Sequence, residues 1–133
     1  MEATILLVDD DPVAVRLVNL ILDREGYETI VASDGSQGLK MAQDEGPDLV
    51  LLDLMLPGMN GLDVLRRLRA DSRTADLPVI VVSAQAQFTD KHAALDVGAN
   101  AYVTKPFRRA ELLPLIRSLL EGLKQMEEPE EAG

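Results

Sequence analysis

Five short apolar segments are the strongest constraint on how this chain can fold. They are rich in Val, Ile and Leu and do not alternate with polar residues, which is typical of strands buried on both faces of a parallel sheet. The segments are Ile5–Val8, Thr29–Ala32, Leu49–Leu52, Val79–Val82 and Ala101–Val103. Each one is followed by a stretch with helical features, so the chain repeats a strand and a helix five times.

The helical stretches are bounded by residues that commonly begin or end helices. They are predicted over Pro12–Glu25, around Leu39–Ala42 up to Gly46, around Leu62–Leu68, over Thr89–Val97 and over Arg109–Lys124. Asp11 before Pro12 is predicted to cap the first helix. The residues predicted to form the apolar face of that helix are Val13, Leu17, Leu20 and Ile21.

This order predicts an α/β fold, a doubly wound, flavodoxin-like parallel sheet of five strands in the order 2-1-3-4-5 with five helices. The 133 residues fit one domain, and 47% of them are apolar but only 3% aromatic, so the core is built mainly from aliphatic side chains. We assign residues 1–124 to this domain. Residues 125–133, which are mostly acidic, are expected to form a disordered tail or the start of a linker.

Composition excludes several functions. The formal net charge of −10 disfavours direct nucleic-acid binding, which needs a basic surface. The chain has no cysteine, so disulfides and thiolate metal sites are ruled out, and a cytoplasmic location fits. No segment resembles a signal peptide or approaches the roughly 18 consecutive apolar residues of a membrane span, so no membrane association is expected.

Three carboxylates are predicted to meet at one edge of the sheet. Asp9 and Asp10 follow the first strand and Asp53 follows the third. These strands are neighbours in the order 2-1-3-4-5, at the switch point where doubly wound sheets bind ligands. Clustered carboxylates repel one another, and a raised pKa or a bound cation relieves the repulsion. Mg²⁺ is the natural cation because it prefers oxygen ligands. The alternative is that Asp9 and Asp10 are merely solvated loop residues.

Two further polar residues end strands at the same edge. Ser83 follows the fourth apolar segment and Lys105 follows the fifth. Each has an ordinary explanation alone, as a turn residue or a solvated cation. Together they place a hydroxyl and an ammonium beside three acids, a set that could bind a phosphoryl group carried by one of them.

The motifs "LLVDDDP", "LVLLDLMLPGMNG", "VVSA" and "YVTKPF" occur in this order at fitting separations. On these motifs the chain resembles a receiver domain of the response regulators of two-component signalling, similar to the chemotaxis regulators. The resemblance covers about residues 4 to 122. It implies a signalling switch that accepts a phosphoryl group from a histidine kinase or phosphotransfer protein. The resemblance implies that the chain is not an enzyme and catalyses only its own phosphorylation and dephosphorylation.

The resemblance also implies roles for individual residues. Asp53 would be the phosphoacceptor. Asp9, Asp10, Asp53 and the backbone carbonyl of Met55 would hold Mg²⁺. Lys105, in a cis peptide with Pro106, would contact Asp53 and later the phosphoryl oxygens.

Ser83 and Tyr102 would form the switch. Ser83 would turn toward the phosphoryl group, Tyr102 would follow inward, and the surface of the fourth helix, fifth strand and fifth helix would change its partner preference. Tyr102 could instead be an ordinary strand aromatic. Met55 and Gln85 stand at positions that influence phosphate lifetime in the family.

The resemblance implies a downstream protein target, or an output domain missing from this sequence, and allows a dimer through the fourth helix, fifth strand and fifth helix. We slightly favour a stand-alone receiver. Two other functions remain open. A phosphohydrolase with an aspartyl phosphate would need a second acid at position 55, where Met stands, and a nucleotide- or flavin-binding fold would need a phosphate-binding loop where "DDDP" stands.

Overall fold

The computed structural model describes residues 3–84 and 88–127. Within these ranges, strands and helices alternate along the chain as predicted. The elements are β1 (Thr4–Val8), α1 (Pro12–Arg24), β2 (Glu28–Ala32), α2 (Gly35–Glu45), β3 (Leu49–Leu52), α3 (Gly61–Ala70), β4 (Val79–Ser83), α4 (Phe88–Val97), β5 (Ala101–Thr104) and α5 (Arg109–Glu127). The five strands pair in parallel in the order β2-β1-β3-β4-β5, which confirms the predicted topology.

Both faces of the sheet are buried, which explains why the strands do not alternate between apolar and polar residues. Successive strand residues point to opposite faces, so Ile5 and Leu7 of β1 pack under α1 and α5, whereas Leu6 and Val8 pack under α2 and α3. All four of these β1 residues are buried. The polar side chains of the predicted site therefore lie at the ends of the strands, after the apolar residues.

The beginning of α1 agrees with the prediction, but its buried face does not. The Asp11 side chain accepts a hydrogen bond from the Val13 N–H at 3.0 Å, with Pro12 as the first helical residue. The predicted apolar face is wrong in three of its four positions: Val13, Leu17 and Leu20 are exposed, by 75%, 44% and 57%. The residues that α1 buries are Ala14, Val18, Ile21 and Leu22.

The reason is that α1 is apolar on most of its circumference, with eight of the ten residues from 13 to 22 being Val, Ala, Leu or Ile. A helical period alone cannot select one stripe on such a helix. Packing against β1 and α5 selects the stripe centred on Val18 and Leu22. The unselected residues Val13, Leu17 and Leu20 form an exposed apolar strip, which we call the α1 strip.

At the other end of the chain, α5 continues to Glu127, beyond the predicted end at Lys124. The remainder of the predicted tail, residues 128–133, lies outside the described residues. None of the helices in the described ranges is both long and apolar enough to cross a membrane.

Candidate functional site

The parallel sheet brings the ends of β1 and β3 together. The Asp53 N–H donates to the carbonyl of Val8 at 3.0 Å, and the Asp9 N–H donates to the carbonyl of Ala32 at 3.0 Å. These hydrogen bonds continue the strand pairing one residue beyond each strand. They hold Asp9 and Asp53 at the edge of the sheet where the strands end. Asp9, Asp10 and Asp53 each offer an oxygen, and these oxygens all lie within 4.8 Å of one another.

Burial distinguishes the three acids. Asp9 is 3% exposed and Asp53 is 6% exposed, whereas Asp10 is open to solvent. The view that Asp9 is a solvated loop residue is therefore wrong, and only Asp10 is solvated. Two buried carboxylates this close need a compensating charge, since an unpaired buried charge is costly.

Lys105 provides that charge. Its Nζ lies 2.7 Å from Asp9 Oδ2 and 3.0 Å from Asp53 Oδ2, so one ammonium bridges the two buried acids. Burial by itself lowers the pKa of Lys105, but the hydrogen bonds and negative charges of Asp9 and Asp53 outweigh it, and the net pKa is raised. Lys105 is therefore a cation at neutral pH. The peptide between Lys105 and Pro106 is cis, as predicted.

Backbone groups fix the remaining oxygens of the buried acids. Asp9 Oδ1 accepts the Asp11 N–H at 2.9 Å, and Asp53 Oδ1 accepts the Met55 N–H at 3.0 Å. Each carboxylate is thus held by one backbone donor and by Lys105. The Met55 side chain is 58% exposed and does not enter the cluster.

Ser83 and Tyr102 lie next to this cluster on the adjoining strands. Ser83 ends β4 and is fully buried, and its carbonyl accepts the Lys105 N–H at 2.8 Å. Tyr102 of β5 is half-buried, and a hydrogen bond joins its hydroxyl to that of Ser83. Burial raises the pKa of Tyr102, the Ser83 hydrogen bond lowers it, and the charges of Asp90 and Asp53 raise it, with a net increase. The two predicted switch residues are therefore in direct contact.

Comparison with known proteins decides the family. The model of the response regulator receiver domain matches residues 5–117, most of the chain. The chain belongs to this family. Receiver domains are signalling switches of two-component systems that respond to phosphorylation, and they bind Mg²⁺ at an acidic site.

Characterised relatives are longer proteins. The receiver is 45% identical over 131 residues to the DNA-binding response regulator MtrA of Mycolicibacterium smegmatis, covering 98% of this chain and 55% of that protein. It is 47% identical over 116 residues to the DNA-binding dual master transcriptional regulator RpaA of Synechocystis, covering 87% of this chain and 48% of that protein. The chain thus spans about half the length of the curated relatives it matches.

A solved structure gives a direct comparison for the acidic site. The receiver domain of a sensor histidine kinase of Pseudomonas aeruginosa, with a magnesium ion coordinated in its active site cleft, superposes with a TM-score of 0.84. It is 32% identical, and the match covers 91% of this chain and 99% of that chain. A receiver domain with the same fold therefore binds magnesium in its active site cleft.

The donor set of this receiver fits Mg²⁺. The cluster presents only carboxylate oxygens, the ligands this hard ion prefers, and Asp10 faces solvent, so water can complete an octahedral shell. A thiolate or imidazole, which would favour a softer ion, is absent from the three residues of the cluster.

One contact that shapes the site was not predicted. Gly61 begins α3 so close to the phosphoacceptor loop that a Cβ there would lie 2.5 Å from Leu54 Cα and 2.6 Å from the Asp53 carbonyl oxygen. Only glycine lets α3 approach Asp53 this closely. The motif "LMLPGMNG" contains this residue, but nothing in the pattern shows that the contact is with Asp53. Gln85, named above for phosphate lifetime, lies outside the described residues.

Proposed function

We propose that this receiver takes a phosphoryl group onto Asp53 from a phosphohistidine of a histidine kinase or phosphotransfer protein. The observation that carries the proposal is the bridge that Lys105 makes between Asp9 and Asp53 beside Asp10. Such an arrangement orients one Asp53 oxygen and neutralises charge around it. Phosphoryl transfer depends mainly on this kind of positioning and electrostatic stabilisation.

In the reaction, an Asp53 oxygen attacks phosphorus, the bond to the histidine nitrogen breaks, and that nitrogen keeps the electron pair. Asp53 Oδ1 is held by the hydrogen bond from the Met55 N–H. We therefore assign the attack to Asp53 Oδ2, which accepts a hydrogen bond from Lys105 before the reaction. After the transfer, the Lys105 ammonium contacts the negatively charged phosphoryl oxygens. Asp9, Asp10, Asp53 and the Met55 carbonyl are the proposed ligands of Mg²⁺, which supplies neutralisation of the phosphoryl charge.

The signalling step is assigned to Ser83 and Tyr102. The new phosphoryl group brings nearly two negative charges and three acceptor oxygens. The Ser83 hydroxyl, now bonded to Tyr102, is a second side-chain donor, besides Lys105, that can turn to those acceptors. Its turning breaks the bond between the two hydroxyls and releases Tyr102, which changes the surface formed by α4, β5 and α5. This is a shift between two populations, driven by the contacts that only the phosphorylated state makes.

The proposed partners follow from this assignment. The donor protein docks on the α1 strip, because Val13, Leu17 and Leu20 form an exposed apolar surface beside Asp10 and Asp11. The α4–β5–α5 surface contacts a downstream protein or an output domain, or a second receiver in a dimer.

The net charge of −10 makes direct nucleic-acid binding by this domain unfavourable. We place the protein in the cytoplasm, with catalysis limited to its own phosphorylation and dephosphorylation.

The test uses a small acyl phosphate and intact mass. The receiver should gain one phosphoryl group only with Mg²⁺, and Asp53→Asn should gain none. Asp44→Asn, which removes an exposed acid of α2 away from the site, is the matched control and should be labelled like the wild type. Labelling of Asp53→Asn at the wild-type rate would refute the assignment, and many turnovers of external phosphate esters would point to a hydrolase instead.

A further inference from the structure

The acidic site also opens toward α4. A groove of about 740 Å³ runs between α4 and the loop that follows β3, and it begins at Asp10. The residues that line it are Asp10, Leu54, Met55, Leu56, Pro57, Gly58, Asn60, Leu62, Asp90 and Ala93. This lining has two aspartates and no cation, so the groove is negatively charged where it meets Asp10 of the acidic cluster.

Asp90 lies on the α4 side of this groove. It lies in the first turn of α4 and is half-buried, and among the described residues no hydrogen bond or ion pair to it is found. Its charge also reaches the switch, because Asp90 and Asp53 both act to raise the pKa of Tyr102. An acid in the first turn suits the helix dipole, which is the purely structural explanation for Asp90.

We propose that Asp90 is a specificity-determining residue that opposes the entry of small anionic phosphodonors, so that Asp53 is loaded mainly by a protein donor. A cleft lined by one sign of charge changes the local concentration of charged reactants and hence their association rate. Asp90 and Asp10 together repel a free phosphate compound that arrives through the groove. This inference rests on the proposed role of Asp53 as phosphoacceptor.

Two small donors distinguish an electrostatic role from a structural one. With acetyl phosphate, an Asp53 oxygen attacks phosphorus, the P–O bond to acetate breaks, and acetate leaves with the electron pair. With phosphoramidate, the P–N bond breaks and ammonia leaves. At neutral pH acetyl phosphate is a dianion and phosphoramidate is a net monoanion. Coulomb energy scales with donor charge, so loss of the Asp90 charge should change the logarithm of the rate about twice as much for acetyl phosphate.

The experiment measures the phosphorylation rate of the full chain by intact mass, in excess Mg²⁺ and at low and high salt. Asp90→Asn should accelerate phosphorylation by acetyl phosphate about two- to fivefold and by phosphoramidate by about the square root of that factor. Both effects should shrink at high salt because the charges are screened. Asp90→Glu, which keeps the charge, should behave like the wild type.

Asp96→Asn is the matched control, since it removes the same charge from an exposed position of α4 that does not line the groove. It should leave both rates near those of the wild type. Equal changes with the two donors, or changes that persist at high salt, would show that Asp90 acts through α4 structure and would overturn the inference. So would rates for Asp90→Asn equal to those of the wild type. A folded wild type that neither donor labels would instead refute the role of Asp53.

Discussion

At the scale of single residues, the hydrogen bond between Ser83 and Tyr102 links the acidic site to the outer surface. It lowers the pKa of Tyr102 against the larger effect of burial, which raises it. Ser83→Ala removes the lowering contribution and leaves burial and the charges of Asp90 and Asp53. We therefore expect the pKa of Tyr102 to rise further in this variant.

This prediction can be checked by ultraviolet difference absorbance during an alkaline titration. Tyr27 is the only other tyrosine, so Tyr27→Phe provides a background in which Tyr102 alone titrates. Ser33→Ala, a serine outside this contact, is the control and should leave the titration in place. A Tyr102 pKa that falls or stays constant in Ser83→Ala would mean that the bond does not stabilise the phenolate.

Gly38 shows how one missing methyl group determines packing. A Cβ at Gly38 would lie 2.8 Å from both Cγ atoms of Val8, which is buried in β1. Alanine would gain up to about 1 kcal/mol of helix propensity in α2. Overpacking a filled core costs about 1–3 kcal/mol, so Gly38→Ala should destabilise the protein by about 1 kcal/mol.

The background Val8→Ala tests the mechanism, because it removes both Cγ atoms and leaves only a Cβ at 3.4 Å. There the same Gly38→Ala change should stabilise the protein, and urea unfolding of the four variants measures this reversal of sign. A destabilisation of equal size in both backgrounds would show that Val8 is not the obstacle.

At the scale of elements, Arg69 binds α3 to the loop before β4 and to the loop between α4 and β5. Its Nη1 donates to the carbonyls of Thr74, Ala75 and Leu77 at 3.3, 3.1 and 2.7 Å. Its Nε and Nη2 donate to the carbonyl of Gly98, just after α4, at 3.1 and 2.8 Å. A cation at the carboxyl end of α4 also complements the helix dipole.

We expect Arg69→Met to lower the free energy of unfolding by about 2–4 kcal/mol, because several partly buried carbonyls lose a charged donor. Arg67→Met is the control: it lies on the same helix but is exposed, and it should cost less than about 0.5 kcal/mol. Urea unfolding measures both. Equal losses in the two variants would contradict a clamp specific to Arg69.

The α1 strip leads to a prediction about the donor protein. Leu17→Ser and Leu20→Ser remove apolar side chains that α1 exposes by 44% and 57% and that the core does not need. Each should slow phosphotransfer from the kinase by about tenfold, the equivalent of about 1.4 kcal/mol of lost docking energy. Labelling by a small acyl phosphate, which does not dock on α1, should stay unchanged.

Phosphotransfer rates with each donor measure this difference. Leu95→Ser, at another exposed leucine but on α4, serves as the control for a general loss of surface apolarity. If Leu17→Ser and Leu20→Ser slow both donors equally, the effect lies in the site rather than in docking.

At the scale of the whole molecule, the acidic cluster should make stability depend on Mg²⁺. An ion that binds only the folded state stabilises it by mass action, by about 2.7 kcal/mol at a hundredfold excess over Kd. We expect this gain in urea unfolding of the wild type, relative to a potassium salt at the same ionic strength. Asp10→Asn should lose most of the gain, because it removes the exposed carboxylate of the cluster.

Asp44→Asn changes the net charge equally without touching the cluster and should keep the full response to Mg²⁺. If Asp10→Asn also keeps it, Asp10 is not a ligand, and the cation acts through the general negative charge of the protein. This comparison separates binding at the site from screening of the net charge of −10.

Most of the architecture could be predicted from the sequence because its causes are local or topological. Continuous apolar strands such as Leu49–Leu52 indicate burial on both faces, and caps such as Asp11 locate helix ends to within a few residues. The strand order then follows from general rules of doubly wound sheets. That order is also what brings Asp9 and Asp53 together, since parallel strands end at the same edge.

The sequence by itself thus determined the element order, the sheet and the acidic cluster, because the apolar pattern is local to each segment and the general rules of doubly wound sheets place the ends of parallel strands at one edge. Only the tertiary structure decided which stripe of α1 is buried, that Arg69 binds the Gly98 carbonyl, and that Asp90 lines the groove. These features depend on contacts between segments far apart in the chain. The pattern within one segment indicates which of its residues are apolar, but it does not indicate which other segment those residues contact.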